Sequence, residues 1–546
     1  MKNILLILLI VSAVSTDAQI APNKYWVEFS DKSNTPYSLD TPEEFLTSRA
    51  LSRRSNQGIQ LNDSDLPVDP AYVAAVAEIE NIQLIHRSRW FNSVTIFTED
   101  STVLDQISAL PFVAQVRNVR VVKGEYEGSA LPREESSFSL LKDPYGQGFT
   151  QIDQINGLPL HYMGNHGEGM QIAVLDAGFA HVDHLPIFKR LWDENRILGV
   201  HDFVDGDGYI YHHNHGMYVL STMGGYLPDS LLGTSYEASF YLFRTEDGDS
   251  ETLLEEDNWA VAAERADSLG VDLINSSLGY SLFDDPLQDH AYEDMDGNTT
   301  VITRAADLAA SKGILVVTSA GNSGSSPWHY ITAPADADSV LTAGAINTEG
   351  IHAFFSSFGP TADGRVKPDV MTLGQGSAFA NSDSTIRTGN GTSFSSPILC
   401  GMTACLWQAH PEKKNMDIIR AIQESASLFT NPNDSMGYGI PDFWIADKIL
   451  NSGTQGNVLP LTVFPNPANN FVQLEWHSSS EEIPILYIYN SRGQLVFEEK
   501  CGYVHKGIGI VSIELNDLGL ASGNYLVQLI QDENVYVQKL FVNKEK

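Results

Sequence analysis

The middle of the chain alternates apolar strands with helical segments, and this rhythm constrains the fold more than any other feature. Between about residues 145 and 450, short apolar runs recur at 171–175, 238–243, 273–276, 314–319 and 340–345. Strands joined through helices form parallel sheets that are covered by helices. We therefore predict an α/β fold for residues 145–450. Functional groups should gather at the carboxyl ends of the strands.

Smaller units are predicted on both sides of this region, because 546 residues exceed what one hydrophobic core usually organises. Residues 19–125 mix strand-like runs (24–29, 93–97, 112–122) with helical ones (42–54, 69–80, 102–110), which predicts a small α+β domain. Residues 459–546 contain short alternating strands split by turns, which predicts a small all-β sandwich. Linkers rich in Gly and polar residues separate the three domains, at 126–144 and 451–458.

The amino terminus has the layout of a cleaved secretory signal. Lys2 precedes an apolar run over residues 4–14, and small residues follow around Thr16 and Ala18. The run is shorter than the roughly 20 residues needed to cross a bilayer, and no other run approaches that length. We predict a signal peptide over residues 1–18 and a secreted or cell-surface protein without a transmembrane segment in the mature chain.

Composition and cysteine content narrow the function classes. A formal net charge of −36 disfavours nucleic-acid and anionic-membrane partners, because phosphate binding needs clustered Lys and Arg.

Cys400 and Cys405 lie five residues apart in one predicted helix, too far apart for a disulfide. We interpret both as buried apolar residues and Cys501 as an unpaired thiol.

Ser393 is the strongest candidate for a nucleophile. It lies in Gly391-Thr392-Ser393-Phe394-Ser395-Ser396-Pro397, followed by an apolar segment over 398–407 that predicts a buried helix. Backbone N–H groups and the positive end of the helix dipole are directed at such a position, where they stabilise a developing oxyanion. Pro397 is compatible with the first helical turn.

A serine hydroxyl needs a base, and His215 in His215-Gly216-Met217-Tyr218-Val219 is the candidate. Asp176 ends a predicted strand and can hold the imidazole. The chain order Asp, His, Ser is that of subtilisin, so these motifs resemble the subtilisin-like serine proteases.

Further motifs agree with this resemblance between the two linkers. Ser319-Ala320-Gly321-Asn322 is similar to the family's oxyanion-hole block, which implies that Asn322 donates to the tetrahedral intermediate. Ser277, Leu278 and Gly279 resemble the strand that pairs with substrate backbone, and residues 364–370 also follow the family pattern. Two positions depart from it: Ala177 stands where Ser or Thr is usual, and Tyr218 where smaller or polar residues are common.

The flanking domains carry resemblances of their own. By its layout, the first domain resembles the inhibitory propeptide of these proteases, which templates folding and blocks the cleft. The last resembles the C-terminal sorting domain of the bacterial type IX secretion system, which implies that machinery as a partner. Its marks are Phe464-Pro465-Asn466-Pro467, the Ser491-Arg492-Gly493 turn, Leu520-Ala521-Ser522-Gly523-Asn524-Tyr525 and Lys539-Leu540-Phe541-Val542.

Three short segments carry residue types that bind metal ions. The histidines His212, His213 and His215 lack an accompanying Glu-bearing helical motif or cysteine, so a solvated loop is preferred to zinc. Two acidic turns, 294–298 and 202–207, carry the ligand type that calcium favours but lack a downstream Glu, and structural calcium is kept as an alternative to solvated turns. No metal is assigned to the active site, and no cofactor is required.

The combined prediction is a secreted serine endopeptidase that acts on proteins or peptides. Asp176, His215 and Ser393 form its triad, Asn322 is an oxyanion donor, and the reaction passes through an acyl-enzyme. The alternative is a non-catalytic surface adhesin that keeps the protease scaffold. Side-chain specificity, the natural substrate, the propeptide cleavage site and release from the surface are left undetermined by the sequence.

Overall fold

The computed structural model describes residues 23–120, 144–451, 461–477, 482–500, 503–505, 508–516, 518–531 and 534–544. The predicted signal peptide, most of the two predicted linkers and Cys501 lie outside these residues. In chain order, the described residues form an N-terminal α+β unit, a central α/β domain and a C-terminal all-β domain.

The N-terminal unit is a four-stranded antiparallel sheet in which the first strand lies between the third and the fourth, and the second strand pairs with the third. Alternate residues of its first strand face opposite ways, as the strand period requires. Tyr25 and Val27 pack with the second and third helices, whereas Trp26 faces the central domain. The elements are β1 (Lys24–Phe29), α1 (Ser48–Gln57), α2 (Pro70–Ala77), β2 (Gln83–Ser88), β3 (Ser93–Phe97), α3 (Val103–Ser108) and β4 (Val113–Arg120).

The central domain is built on a seven-stranded parallel sheet. Its elements are α4 (Phe149–Asp153), α5 (Leu158–Tyr162), β5 (Gln171–Asp176), α6 (Lys189–Asp193), β6 (Ile197–Asp202), α7 (His215–Gly224), β7 (Tyr226–Leu227), β8 (Leu231–Leu232), β9 (Ser239–Arg244), α8 (Leu253–Leu269), β10 (Leu273–Ser276), α9 (Val301–Ser311), β11 (Leu315–Ser319), β12 (Leu341–Ile346), β13 (Val370–Leu373), β14 (Gln375–Ala380), β15 (Ile386–Asn390), α10 (Thr392–Ala409), α11 (Asn415–Ser425) and α12 (Phe443–Asn451).

Both faces of this sheet are buried, with the strand order β13-β12-β11-β10-β5-β9-β6. In β5, Ile172 and Val174 join the apolar cluster of α7, α10 and α11, whereas Ala173 and Leu175 join that of α8 and α9. Helix α8 begins with a capping box between Thr252 and Glu255. The helices therefore form a layer on each face and leave the carboxyl edge of the sheet for a site.

The C-terminal domain consists of two four-stranded antiparallel sheets that share one apolar core. It contacts the central domain where Phe464 stacks on Trp444, with ring centroids 5.0 Å apart. The strands are β16 (Leu461–Phe464), β17 (Phe471–His477), β18 (Ile485–Asn490), β19 (Leu495–Lys500), β20 (Tyr503–His505), β21 (Ile508–Glu514), β22 (Gly523–Gln531) and β23 (Asn534–Val542).

A buried ionic cluster joins the N-terminal unit to α8. Asp267 is fully buried and accepts hydrogen bonds from three guanidinium groups of the N-terminal unit, those of Arg53, Arg54 and Arg89. Arg54 lies 2.8 Å from Asp267 and 2.9 Å from Asp65. We call these residues the Asp267 cluster. The three cations belong to the N-terminal unit and the anion to the central domain, so these ion pairs join the two.

Helix α1 also contacts the amino edge of the parallel sheet, opposite the carboxyl edge at which functional groups are expected. It begins after Thr47, whose hydroxyl accepts from the Ala50 N–H, and it ends at Gly58, which has a φ of 72°. At its last residue, the Gln57 amide donates to the Gly313 carbonyl at 2.7 Å and accepts from the Asn415 N–H at 3.1 Å. The N-terminal unit therefore contacts parts of the central domain that are far apart in sequence.

The predicted α/β fold is confirmed, with a parallel sheet between an N-terminal α+β unit and C-terminal antiparallel sheets. The segment predicted as one helix over 42–54 is instead a 3₁₀ turn at Pro42–Glu44 followed by α1, and strand β2 was not predicted. Cys400 and Cys405 are buried and free, as interpreted. Within the described ranges, no helix is long and apolar enough to cross a membrane.

Candidate active site

The predicted site residues meet at the carboxyl edge of the parallel sheet. Asp176 is the last residue of β5, Ser277 follows β10, and Asn322 comes three residues after the end of β11. These strands are neighbours in the order β11-β10-β5, so their carboxyl ends lie side by side. His215 and Ser393 lie in the first turns of α7 and α10, which begin at this edge.

Asp176 and His215 form a direct hydrogen bond, with 2.7 Å between Asp176 Oδ1 and His215 Nδ1. Asp176 is fully buried, and its Oδ1 also accepts from the Ala177 N–H at 2.8 Å. Burial disfavours a charged imidazole, but the Asp176 carboxylate outweighs burial and raises the pKa of His215. The carboxylate therefore fixes the orientation of the ring and increases its basicity.

Two glycines allow these side chains to meet. A Cβ on Gly216 would lie 2.5 Å from the Gly178 carbonyl oxygen and 2.7 Å from the Phe179 ring. Gly178 has a φ of 154°, and a Cβ there would lie 2.5 Å from the backbone nitrogen of His213. Since real Cβ atoms do not approach so closely, glycine is required where the loop after β5 passes the start of α7.

The two departures from the family pattern have local consequences. Ala177 has no hydroxyl to offer, and Asp176 Oδ2 is buried without a hydrogen-bond partner in the described part of the chain. Tyr218 packs against Phe379, with ring centroids 4.7 Å apart, and its hydroxyl reaches Asn381 at 3.4 Å. Neither side chain breaks the contact between Asp176 and His215.

Ser393 is held at the start of α10 by reciprocal bonds with Ser277. The Ser393 hydroxyl donates to the Ser277 carbonyl at 3.2 Å, and the Ser277 hydroxyl donates to the Ser393 carbonyl at 3.1 Å. In this rotamer the hydroxyl of the nucleophile candidate is bonded to the residue that follows β10 rather than to His215. Catalytic hydrogen bonds of free enzymes are often formed only with substrate.

Asn322 presents its amide nitrogen near the Ser393 backbone. Its carbonyl oxygen accepts from the Thr392 N–H at 2.9 Å and from the Thr392 hydroxyl at 3.0 Å, which leaves Nδ2 for another partner. A Cβ placed on Gly391 would lie 3.7 Å from Ser393 N and 3.8 Å from Asn322 Nδ2. The two nitrogen atoms therefore lie within 4 Å of one point beside Gly391.

The segment Ser277, Leu278 and Gly279, predicted as a strand, is irregular backbone that continues from β10, and Ser277 contacts Ser393. Gly279 is exposed, and a Cβ on it would lie 2.2 Å from the Thr332 hydroxyl. The Leu278 carbonyl accepts from the Ser319 hydroxyl at 3.2 Å. A side chain at position 279 would therefore require Thr332 to move.

Sequence reasoning missed three polar residues around the site. The Asn275 amide donates to the Ser277 hydroxyl at 3.1 Å and accepts from the Ser396 hydroxyl at 2.9 Å, so Asn275 and Ser396 brace the start of α10. Burial, and then the Asp176 charge, raise the pKa of Glu246 to about 7. A polar residue, Asn275, within an otherwise apolar predicted strand was the one sequence feature that could have indicated this support.

The metal alternatives receive no support from side-chain arrangement. Among the described residues, no group of three or more His, Cys, Asp or Glu side chains is placed to hold a metal ion. The Asp202 carboxylate accepts from the N–H groups of Val204, Asp205 and Gly206 and pairs with Arg244 at 3.2 Å. His213 Nδ1 accepts from the His215 N–H at 3.2 Å.

Comparison with known proteins covers most of the described chain. Residues 167–439 match the subtilase family (peptidase S8), residues 24–133 match the peptidase S8 propeptide domain of Bacteroidota, and residues 462–543 match the secretion system C-terminal sorting domain.

Relatives of the central domain include several bacterial subtilisins. Subtilisin DY of Bacillus licheniformis is 27% identical over 303 residues, which cover 54% of this chain and 94% of the relative. Subtilisin E of Bacillus subtilis (strain 168) is 28% identical over 299 residues, 53% of this chain and 67% of the relative. Subtilisin BL of Lederbergia lenta is 26% identical over 286 residues, 52% of this chain and 92% of the relative.

The subtilase match spans half of the 546 residues, and the propeptide and sorting domains flank it in the order that the sequence predicted. The parallel sheet between an α+β unit and two antiparallel sheets agrees with this division. The chain belongs to the subtilase family, as a secreted or cell-surface subtilisin-like serine endopeptidase that carries a propeptide and a C-terminal sorting domain.

Proposed function

We propose that Asp176, His215 and Ser393 form the catalytic triad and that peptide hydrolysis proceeds through an acyl-enzyme on Ser393. The observation that carries this proposal is the 2.7 Å bond between Asp176 Oδ1 and His215 Nδ1. With its Nδ1–H donated to the carboxylate, the imidazole keeps Nε2 as its basic nitrogen.

The first half of the reaction acylates the enzyme. The Ser393 hydroxyl leaves the Ser277 carbonyl, gives its proton to His215 Nε2 and attacks the peptide carbonyl carbon. The carbonyl oxygen becomes negative and is held by the N–H groups of Ser393 and Asn322. Collapse of this intermediate breaks the C–N bond, and the leaving amine takes the proton from His215.

The second half releases the product. Water gives a proton to His215 and attacks the acyl carbon, and a second oxyanion occupies the same pair of N–H donors. The Ser393 oxygen leaves and recovers its proton from His215. The substrate backbone lies along Ser277, Leu278 and Gly279 through both steps.

Each segment of the chain has a separate role in export, inhibition, catalysis or secretion. Residues 1–18 direct export, residues 19–125 act as an inhibitory propeptide, and residues 145–450 form the peptidase domain. Residues 459–546 engage the type IX secretion machinery. Processing that removes the propeptide occurs in the linker at 126–144, whose polar and small residues are typical of segments open to proteolysis.

A fluorophosphonate probe tests the nucleophile directly. We expect intact mass spectrometry to find a single adduct on the processed wild-type protein and none on Ser393→Ala, and casein hydrolysis to be lost in the same variant. An unlabelled wild-type protein would contradict the triad and favour the adhesin alternative. Casein turnover that survives Ser393→Ala would also contradict it.

A further inference from the structure

Two histidine rings face each other in the loop that follows β5. His181 Nδ1 lies 3.3 Å from His184 Nε2, and the two rings are perpendicular, with centroids 5.1 Å apart. The Asp183 carboxylate lies 2.7 Å from the other ring nitrogen of His184, Nδ1. We call residues 181–184 the two-histidine turn.

The Asp183 carboxylate determines which nitrogen of His184 carries a proton. An ionised carboxylate can only accept, so His184 Nδ1 donates its proton to Asp183. In the neutral ring Nε2 then keeps its lone pair, and Nε2 is the nitrogen next to His181. A carboxylate that orients a histidine in this way is the usual second partner of a metal-bound imidazole.

The separation of the two nitrogens matches the edge of a tetrahedral zinc site. Zinc binds histidine nitrogen at about 2.0–2.1 Å, and two ligands at that distance and at the tetrahedral angle lie about 3.3–3.4 Å apart. The observed separation of His181 Nδ1 and His184 Nε2 is 3.3 Å. The two nitrogens therefore need not change their separation to share an ion.

A direct hydrogen bond between the two imidazoles is the competing explanation of the same distance. It requires His181 to carry its proton on Nδ1 and to donate that proton to His184 Nε2. A bound ion takes the place of this proton, which moves to Nε2 of His181, so the ring changes tautomer and keeps its net protonation. The two explanations differ in what lies between the nitrogens, and a metal titration separates them.

The backbone of the two-histidine turn is held in place before any ion binds. The His181 carbonyl accepts from the His184 N–H at 3.2 Å. Val182 is fully buried, and its carbonyl accepts from the Trp192 indole at 2.8 Å. The side chains of His184 and Asp183 are 62% and 50% exposed. An ion can therefore reach the rings from solvent without disturbing the core.

The two-histidine turn is connected to the candidate active site through its backbone. Asp176 ends β5 five residues before His181. The Ala180 N–H donates to the carbonyl of His213, which lies in the loop before α7, at 2.9 Å. An ion bound by the turn would therefore stabilise a loop that lies beside the candidate active site.

Imidazole ligands select the class of ion. Zn²⁺, Cu²⁺ and Ni²⁺ bind imidazole nitrogen, whereas Ca²⁺ and Mg²⁺ prefer oxygen ligands. Two protein ligands leave two positions of a tetrahedral ion for water. A two-ligand site is consistent with the described ranges, in which no group of three or more His, Cys, Asp or Glu side chains is placed to hold a metal ion.

We propose that His181 Nδ1 and His184 Nε2 bind a divalent transition-metal ion of the zinc class, with Asp183 as the positioning residue that orients His184. This accessory site is separate from the proposed triad and does not depend on the proposed function. We expect a dissociation constant of about 1–100 µM, because two ligands supply roughly half of the binding free energy of a four-ligand zinc site.

The test measures zinc binding to the Ser393→Ala precursor, purified without a histidine tag and treated with a chelator. In calorimetric titrations, His181→Ala and His184→Ala should each weaken the site by about a hundredfold. Asp183→Asn keeps both ligands and should weaken it by about tenfold. His212→Ala removes an exposed histidine outside the turn and should leave binding unchanged, and Ca²⁺ should not compete with zinc.

Zinc binding weaker than about 1 mM in the precursor, or binding that persists in both alanine variants, would overturn the proposed site. A loss in His212→Ala as large as that in His184→Ala would place the ion elsewhere and would overturn it too. Each variant is compared with the precursor by thermal melting without zinc, so that a folding defect is recognised. Fluorophosphonate labelling of Ser393 decides the proposed function separately, so either proposal can fail alone.

Discussion

Replacing Asp267 by asparagine should loosen the N-terminal unit without touching the active site. The relevant protein is the Ser393→Ala precursor, in which we expect the propeptide to remain attached. Asp267 is fully buried and faces Arg53, Arg54 and Arg89. The change Asp267→Asn leaves their charges in place and removes the anion between them.

The loss of stability in Asp267→Asn depends on which hydrogen-bond partners each arginine keeps. Arg54 keeps Asp65 at 2.9 Å, and Arg89 keeps the Ser268 hydroxyl at 2.7 Å. Arg53 keeps the Lys312 carbonyl at 3.1 Å, but no other carboxylate pairs with it in the described part of the chain. Removing one partner of a buried ion pair costs about 3–5 kcal/mol. Asparagine still offers one acceptor, so we expect the lower limit, about 3 kcal/mol.

Native-state hydrogen exchange measures this loss where it occurs. Strand β1 is central in the N-terminal sheet, and its amides exchange when that unit opens. A loss of about 3 kcal/mol corresponds to exchange that is faster by about a hundredfold. The matched control is Asp193→Asn, which breaks an exposed pair with Lys189 and should change exchange less than about fivefold. Acceleration below about fivefold in Asp267→Asn would refute the reasoning.

Three further changes address the active site. Asn322→Ala should lower kcat by about 10²–10³, the effect known for the corresponding subtilisin donor, with little change in KM; an unchanged kcat on peptide substrates would exclude Asn322 as an oxyanion donor. Asp176 is the main cause that raises the pKa of His215, and Glu246, which is ionised above its own pKa of about 7, adds to it; Glu246→Gln should therefore move the acid limb of the kcat/KM profile to lower pH, and a limb that stays in place or moves to higher pH would contradict this assignment. Gly216→Ala places a methyl group 2.5 Å from the Gly178 carbonyl oxygen, and the precursor should lose about 1–3 kcal/mol of stability together with activity; a melting temperature equal to that of wild type would show that the loop can move aside.

The predicted strands were found because buried parallel strands are continuous apolar runs. The five predicted runs correspond to β5, β9, β10, β11 and β12, and none is displaced by more than a residue or two. Strand β2 was not predicted because Gln83–Ser88 mixes polar and apolar residues and contains exposed, half-buried and buried positions without a clear period.

The positions of Asp176, His215 and Ser393 followed from motifs, but their supporting partners did not. Asn275 lies 121 residues from Ser396, and Arg53 lies 214 residues from Asp267. Contacts of this kind leave no local pattern, because the fold alone brings the partners together.

The two hydrogen bonds of Gln57 have a consequence for the folding pathway. They connect Gly313, just before β11, with Asn415, the first residue of α11. Closing a loop of roughly a hundred residues costs about 4 kcal/mol of chain entropy. Because the N-terminal unit contacts both ends of that loop, its contacts offset part of this entropy cost during folding. Once the N-terminal unit is removed, folding no longer receives that stabilisation. The mature enzyme should then remain folded because it unfolds slowly, and its refolding from denaturant should be slower than that of the precursor.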